Sequence, residues 1–181
     1  MTLNNAKDLH LLFNAAFRQL RCHGGAGDFH WSVQARGEGA FSDQTRKNGN
    51  TPFGRYWCGT PEAIPADDKD SKSYGPWFVP LQPEDGVAPG RTGLGIHGGG
   101  ADLPTPLASQ QGWETTYGCI RLQNADLQQV VKAIEYTAKT GGAVLLTVDW
   151  TAIWRAEALK YVSPKPTKKP KDVARRGGAK P

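Results

Sequence analysis

Gly95-Ile96-His97-Gly98-Gly99-Gly100, then a loop, then Thr116-Tyr117-Gly118-Cys119-Ile120-Arg121: these two stretches decide how the chain is read. The first is a short apolar run that ends in an imidazole and opens into a glycine turn, the pattern of a strand leaving a sheet. The second sets a thiol directly after a glycine, in a stretch with no sign of regular structure. A cysteine at neutral pH is only a few per cent thiolate, so chemistry at Cys119 needs a base, and His97 is the candidate. Backbone N–H groups must then hold the developing oxyanion, and a glycine lets them converge with no Cβ in the way.

Working outward, residues 29 to 95 lack helical periodicity and are punctuated by turn residues. Phe29 to Ala35 and Phe53 to Cys58 read as strands, separated by a stretch that includes the polar segment Asp43 to Asn50. Asp67 to Ser73 holds only Asp, Lys and Ser and reads as a surface loop, and Trp77 to Leu81 as a strand whose Pro80 suggests a sheet edge. Beyond the thiol, Asn124 is a fitting N-cap for a helix to about Thr140. Its apolar face is Leu127, Val130, Val131, Ile134 and Ala138, and Gly141-Gly142 is its stop. Ala143 to Val148 then reads as a strand buried on both faces. At the front, Leu9, Leu12, Phe13, Ala16, Phe17 and Leu20 recur at helical spacing before Gly24-Gly25, which predicts an N-terminal helix packed on the core. Trp150, Trp154, Ala158 and Tyr161 predict a short C-terminal helix.

Composition sets the bounds. The chain has 181 residues, 38% of them hydrophobic, with 22 Gly and 13 Pro. That suits one loop-rich, largely β domain rather than a helical bundle. No stretch approaches the roughly 18–20 apolar residues of a membrane-spanning helix, so an integral membrane protein is not expected. The net charge of +5 is uneven: residues 163–181 alone carry +6, and the rest carries −1. The basic character belongs to a Pro/Lys tail, expected to be disordered, and gives no reason to expect specific nucleic-acid binding. Leu9 to Phe17 is interrupted by Asn14, and Lys7 is offset by Asp8, so no secretory signal is expected. Cys22 and Cys58 are read as thiols rather than a disulfide. Cys22-His23 is the only seed of a metal site, with no second Cys/His pair at ligand spacing, so neither a metal nor another cofactor is expected. His10, His23 and His30 read as structural residues.

The two opening stretches resemble the active-site signature of the L,D-transpeptidases, the YkuD-type domain: a His-Gly pair, a variable loop, then Ser/Thr-His-Gly-Cys-Ile/Val-Arg-Leu/Met with a downstream Asn and Asp. Here these are His97-Gly98, Thr116 to Leu122, Asn124 and Asp126. Asn50-Thr51-Pro52-Phe53-Gly54-Arg55-Tyr56 is similar to the family's Thr-Pro-x-Gly-x-Tyr/Phe strand. The resemblance spans roughly residues 29 to 150 and implies a mainly β, β-rich α+β fold of sandwich or barrel-like form. The expected division is a helix over 1–24, a catalytic domain over 25–150, a C-terminal helix over 151–162 and a tail over 163–181.

What the resemblance implies is acyl transfer on peptidoglycan stem peptides. Cys119 would be the nucleophile, and His97 its base. The N–H groups of Tyr117, Gly118 and Cys119 would form the oxyanion hole. Arg121, Trp113, Thr116, Gly98 and Gly99 would line the substrate site, with Arg121 near a carboxylate of either the substrate or the protein. Release of D-alanine and transfer to an amine would give a 3→3 cross-link or a D-amino-acid exchange product. Water as acceptor would give an L,D-carboxypeptidase. The site of action would be the periplasm or cell wall. A leaderless wall enzyme could also be a delivered antibacterial effector, with an immunity or delivery protein as partner, or a phage product. One departure, Tyr117 where the family has His, motivates the alternative of a catalytically silent wall-binding module.

Overall fold

The computed structural model describes residues 6–151. Nine strands and two helices occur in the order β1 (Leu9–Asn14), β2 (Gln19–Gly24), β3 (Phe29–Gln34), β4 (Gly54–Cys58), β5 (Glu62–Ala63), α1 (Ser71–Tyr74), β6 (Trp77–Pro83), β7 (Gly95–His97), β8 (Ile120–Arg121), α2 (Asn124–Lys139) and β9 (Val144–Asp149). The strands form one curled sheet in the spatial order β3-β2-β1-β9-β4-β6-β7-β8, with β5 added on β6. Its two ends meet. Arg36, two residues past β3, donates its backbone N–H to the Arg121 carbonyl at 2.9 Å, and the Arg121 N–H returns to the Arg36 carbonyl at 2.7 Å. That exchange closes the sheet beside β8, so the seam of the barrel lies next to the Cys119 loop. The mainly β expectation is met.

The expected N-terminal helix is instead the hairpin β1–β2. Leu9, Leu11 and Phe13 alternate into the core and meet Leu20 and Cys22 of β2. Leu12, on the other face between Arg21 of β2 and Thr147 of β9, is also buried. A central strand buried on both faces makes a near-continuous apolar run, which overlaps helical spacing by chance. Asn14 seats the turn: its Oδ1 accepts the Phe17 N–H at 3.0 Å, and Arg18 takes a positive φ of 52°. Ala16 and Phe17, which a helical stripe would bury, are exposed.

Three smaller expectations are also corrected. β6 is not an edge strand, since it pairs with β4, β5 and β7. Pro80 fits because its carbonyl accepts from Gly59, and its missing donor faces that same side, where β4 gives way to β5. The polar segment 67–73 is not wholly surface: Ser71 opens α1, is buried, and donates to the Ala66 carbonyl at 2.9 Å. In α2 the buried face is Leu127, Val130, Val131, Ala133, Ile134 and Thr137, while Ala138 is exposed. This face lies against the sheet, touching β6, β1, β3, β7 and β9. β9 is buried as expected, with Val144, Leu145, Leu146 and Val148 inside. The expected helix over 151–162 and the tail fall, apart from Thr151, outside the described residues.

Candidate active site

The site grows from the parallel pair β7–β8. Its register sets Ile96 beside Ile120 and His97 beside Arg121. Ile96 and Ile120 point into the core, so the alternate residues face the other way. His97, Arg121 and, one step before β8, Cys119 therefore share one side of the sheet. The parallel register sets the imidazole and the thiol on that side, and the Cys119 Sγ itself lies 3.6 Å from the Gly93 carbonyl.

His97 is buried, 3% exposed, and held on several sides. Its Nδ1 lies 2.7 Å from the Gly98 carbonyl, which can only accept, so Nδ1 carries the proton and Nε2 keeps a free lone pair. Tyr74 packs edge-on at 5.1 Å between ring centroids, and Phe78 stacks at 6.2 Å. Burial first, and the Arg121 charge second, lower its pKa to about 3. Burial likewise pushes the Cys119 thiol up to about 11, against smaller lowering effects that include Arg121 and Arg91. At neutral pH the pair is an uncharged imidazole and an uncharged thiol.

The loop ahead of Cys119 is fixed through its backbone. Thr116 Oγ1 donates to the Cys119 carbonyl at 2.8 Å and accepts the Gly118 N–H at 3.2 Å. The Thr51 hydroxyl lies 3.2 Å from the same carbonyl, which ties the Thr-Pro strand to the thiol loop. Among the described residues no acceptor takes the N–H of Tyr117 or of Cys119. The Tyr117 side chain is 72% exposed. Gly118 has φ 107°, and a Cβ there would collide with the guanidinium of Arg91.

Arg91 is a residue the sequence did not single out. Its Nη1 donates to the carbonyls of Gln44 and Arg46 at 2.7 Å each. Its Nη2 reaches those of Gly49 and Tyr117 at 3.3 and 3.1 Å. One buried cation thus staples the 44–49 loop to the thiol loop. No local pattern announces it, because its partners are backbone atoms more than 25 residues away in sequence.

The other expected site residues divide. Arg121 is 3% exposed and pairs with Glu114 at 3.2 Å, so the carboxylate expected beside it belongs to the protein; its Nε is buried with no partner. Trp113 lies under the Arg36 guanidinium, 4.9 Å from its ring centre, at the barrel seam. The N–H groups of Gly98 and Gly99 are taken by the Tyr74 carbonyl and Asn124 Oδ1, so these glycines shape the wall of the site and leave no free donor. Asn124 is not the N-cap, which is Gln123. As the first helical residue it accepts from Gly99 at 3.0 Å and donates to the carbonyls of Pro106 and Ala108 at 2.9 and 2.7 Å, pinning the variable loop. All three cysteines are free thiols.

The family model described as the L,D-transpeptidase catalytic domain, YkuD, matches residues 20–149. Among solved structures, Bdellovibrio bacteriovorus Bd1075 aligns with a TM-score of 0.57 at 14% identity, over 88% of this chain and 55% of its own. An L,D-transpeptidase from Stackebrandtia nassauensis aligns with a TM-score of 0.52 at 12% identity, over 84% and 60%. The helical cell shape determining protein Pgp2 from Campylobacter jejuni does so with a TM-score of 0.51 at 18% identity, over 81% and 49%. At these identities the likeness is one of fold, and this chain spans about half to three-fifths of each of those structures. No curated protein matches.

Proposed function

The chain belongs to the L,D-transpeptidase catalytic domain family, YkuD, and from that premise we propose that it is a cysteine acyltransferase of peptidoglycan stem peptides. The observation that carries this reading is the His97–Cys119 pair on one side of β7–β8, with Nδ1 of His97 locked to Gly98 and Nε2 left as the base.

In this reading the Cys119 Sγ attacks the carbonyl carbon of the third residue of a tetrapeptide stem, and the thiol proton passes to His97 Nε2. The carbonyl π electrons move onto oxygen, where the open N–H groups of Tyr117 and Cys119 receive the charge. Collapse of the tetrahedral adduct breaks the bond to the terminal D-alanine, whose amine takes the proton from His97. A thioester is left on Cys119. An acceptor amine then attacks it, His97 again takes the proton, and the thiol is regenerated on release of the new amide. Because both groups are neutral at rest, proton transfer accompanies attack rather than preceding it. Tyr117 is compatible with this chemistry, since position 117 contributes its backbone and its side chain points outward. Arg121 acts on the pair through its charge, held in place by Glu114.

The test is intact-mass analysis of wild type and Cys119→Ala after incubation with a disaccharide-tetrapeptide, or with a carbapenem as acylating probe. A Cys119-dependent adduct with loss of D-alanine is expected. A product lacking D-alanine without transfer identifies water as the acceptor and a carboxypeptidase. Muropeptide binding that survives Cys119→Ala, with no adduct on wild type, replaces the enzyme with a binding module. The effector reading makes a separate demand: toxicity only when the chain is directed to the periplasm.

A further inference from the structure

The three histidines read from the sequence as structural are brought into one row by the hairpin register. His10 of β1 stands opposite His23 of β2, and His23 opposite His30 of β3. Directly opposed residues share a face, and this one is opposite the face on which Leu9, Leu11, Leu20 and Cys22 pack into the core. His23 and His30 are exposed, and His10 is half-buried. His23 Nδ1 and His30 Nδ1 are 3.0 Å apart, with the rings edge to face at 4.5 Å. On its far side, His30 Nε2 lies 2.8 Å from Asp28 Oδ1.

The carboxylate decides the tautomer. Asp28 accepts, so His30 carries its proton on Nε2 and turns a lone pair on Nδ1 toward His23. Two imidazole nitrogens facing each other at this distance need something positive between them, either the one proton of His23 or a metal ion. Metal–imidazole bonds of about 2.0–2.1 Å put two cis nitrogens roughly 2.9 Å apart at a right angle and roughly 3.3 Å apart at the tetrahedral angle. The observed 3.0 Å fits the right-angled geometry that Ni(II) and Cu(II) favour. A histidine whose other nitrogen is held by a carboxylate is also the usual outer-shell arrangement of a metal ligand. His10, next in the row, is kept toward its neutral form chiefly by burial. Arg21, two residues along the same face, has its Nε engaged by Gln19 at 3.0 Å.

We propose that His23 and His30 form a two-imidazole site for a first-row divalent transition metal of Ni(II) or Cu(II) type, with Asp28 as the positioning carboxylate. Water completes the coordination, since no group of three or more His, Cys, Asp or Glu among the described residues is arranged as a metal cage. On binding, the Nδ1 proton of His23 moves to its Nε2 and the metal takes its place, so no oxidation or reduction is involved. The site lies on the β1–β3 side of the sheet, separate from the β7–β8 pair that carries Cys119.

The test is calorimetric titration of the full chain with Ni(II), which leaves thiols unoxidised. Wild type is expected to bind one equivalent. His23→Gln and His30→Gln should each weaken binding at least tenfold, and Asp28→Asn should weaken it about 10–100-fold through lost orientation. All three variants sit on exposed side chains and should keep the wild-type melting temperature without metal. No binding by wild type, or affinity unchanged in His23→Gln and His30→Gln, overturns the site. Affinity unchanged in Asp28→Asn alone overturns the positioning role.

Discussion

The uncharged resting pair makes a quantitative demand on Cys119. An ordinary thiol at 9.0 is about 1% thiolate at pH 7, while Cys119 at about 11 is roughly 0.01% thiolate. The rarer thiolate is intrinsically more nucleophilic, and a Brønsted slope of about 0.4–0.5 over that shift returns close to tenfold of the hundredfold deficit. Iodoacetamide should therefore alkylate Cys119 at pH 7 about tenfold more slowly in the folded chain than after unfolding. The rate should climb tenfold per pH unit up to at least pH 9. Cys22 and Cys58, both pushed by burial to about 12, should lag further, so the rate is read from the Cys119 peptide by mass spectrometry. Acylation by a stem peptide should behave differently. His97 stays neutral above about 3 and the thiol protonated below about 11, so general-base attack should be nearly flat between pH 5 and 9. An alkylation profile that plateaus near pH 5–7, and loses its plateau in His97→Gln, would refute the argument. It would mean that the resting state is a thiolate–imidazolium ion pair.

Three further outcomes follow from the same contacts. His97 has a folded pKa depressed from 6.5 to about 3, so its contribution to stability is present above 6.5 and is lost as pH falls through that window. Urea unfolding at pH 7 and pH 4 should show wild type losing on the order of 3 kcal/mol to this group, and His97→Gln should lack that part of the loss. Asn124→Ala removes three hydrogen bonds and orphans the Gly99 N–H with two carbonyls, which should cost about 2–4 kcal/mol by denaturant titration. It should also speed proteolysis within residues 101–110, and unchanged cleavage there would count against the pinning role. Arg91→Met should lower the acylation rate at saturating substrate about 10–100-fold with little change in KM, because it frees the Tyr117 carbonyl and lets the open amides drift. An equal rate in that variant would remove Arg91 from the account of the site.

Much of this site was legible because its signals are local. A glycine before a thiol, a histidine at a strand end and a helix stop at Gly141-Gly142 each depend on a few neighbouring residues. The N-terminal hairpin was not legible. A strand buried on both faces has no alternation to display, and β1 takes its central place only by pairing with β9, more than 130 residues away in sequence. Arg91, Gln111 and Glu114 were missed for the same reason. Gln111, for example, donates to the Leu122 carbonyl and accepts the Asn124 N–H, a role that exists only once the variable loop has folded back on α2.

The loop that carries the departure at position 117 is held without its side chain. The Cys119 carbonyl is gripped by the hydroxyls of Thr116 and Thr51, and the Tyr117 carbonyl by Arg91. The Gly118 N–H is taken by Thr116, and Gly118 supplies the positive φ. Each restraint acts on backbone or on a neighbouring residue, and none passes through the side chain of residue 117. That side chain can therefore change from imidazole to phenol without altering where the two open amides point. It is 72% exposed, and no restraint on the loop depends on it. Tyr117→His should thus shift KM for stem peptides and leave the maximal acylation rate within about threefold, a change of less than about 1 kcal/mol in the barrier. A rise in that rate of a hundredfold or more would instead assign position 117 a part in the proton transfer.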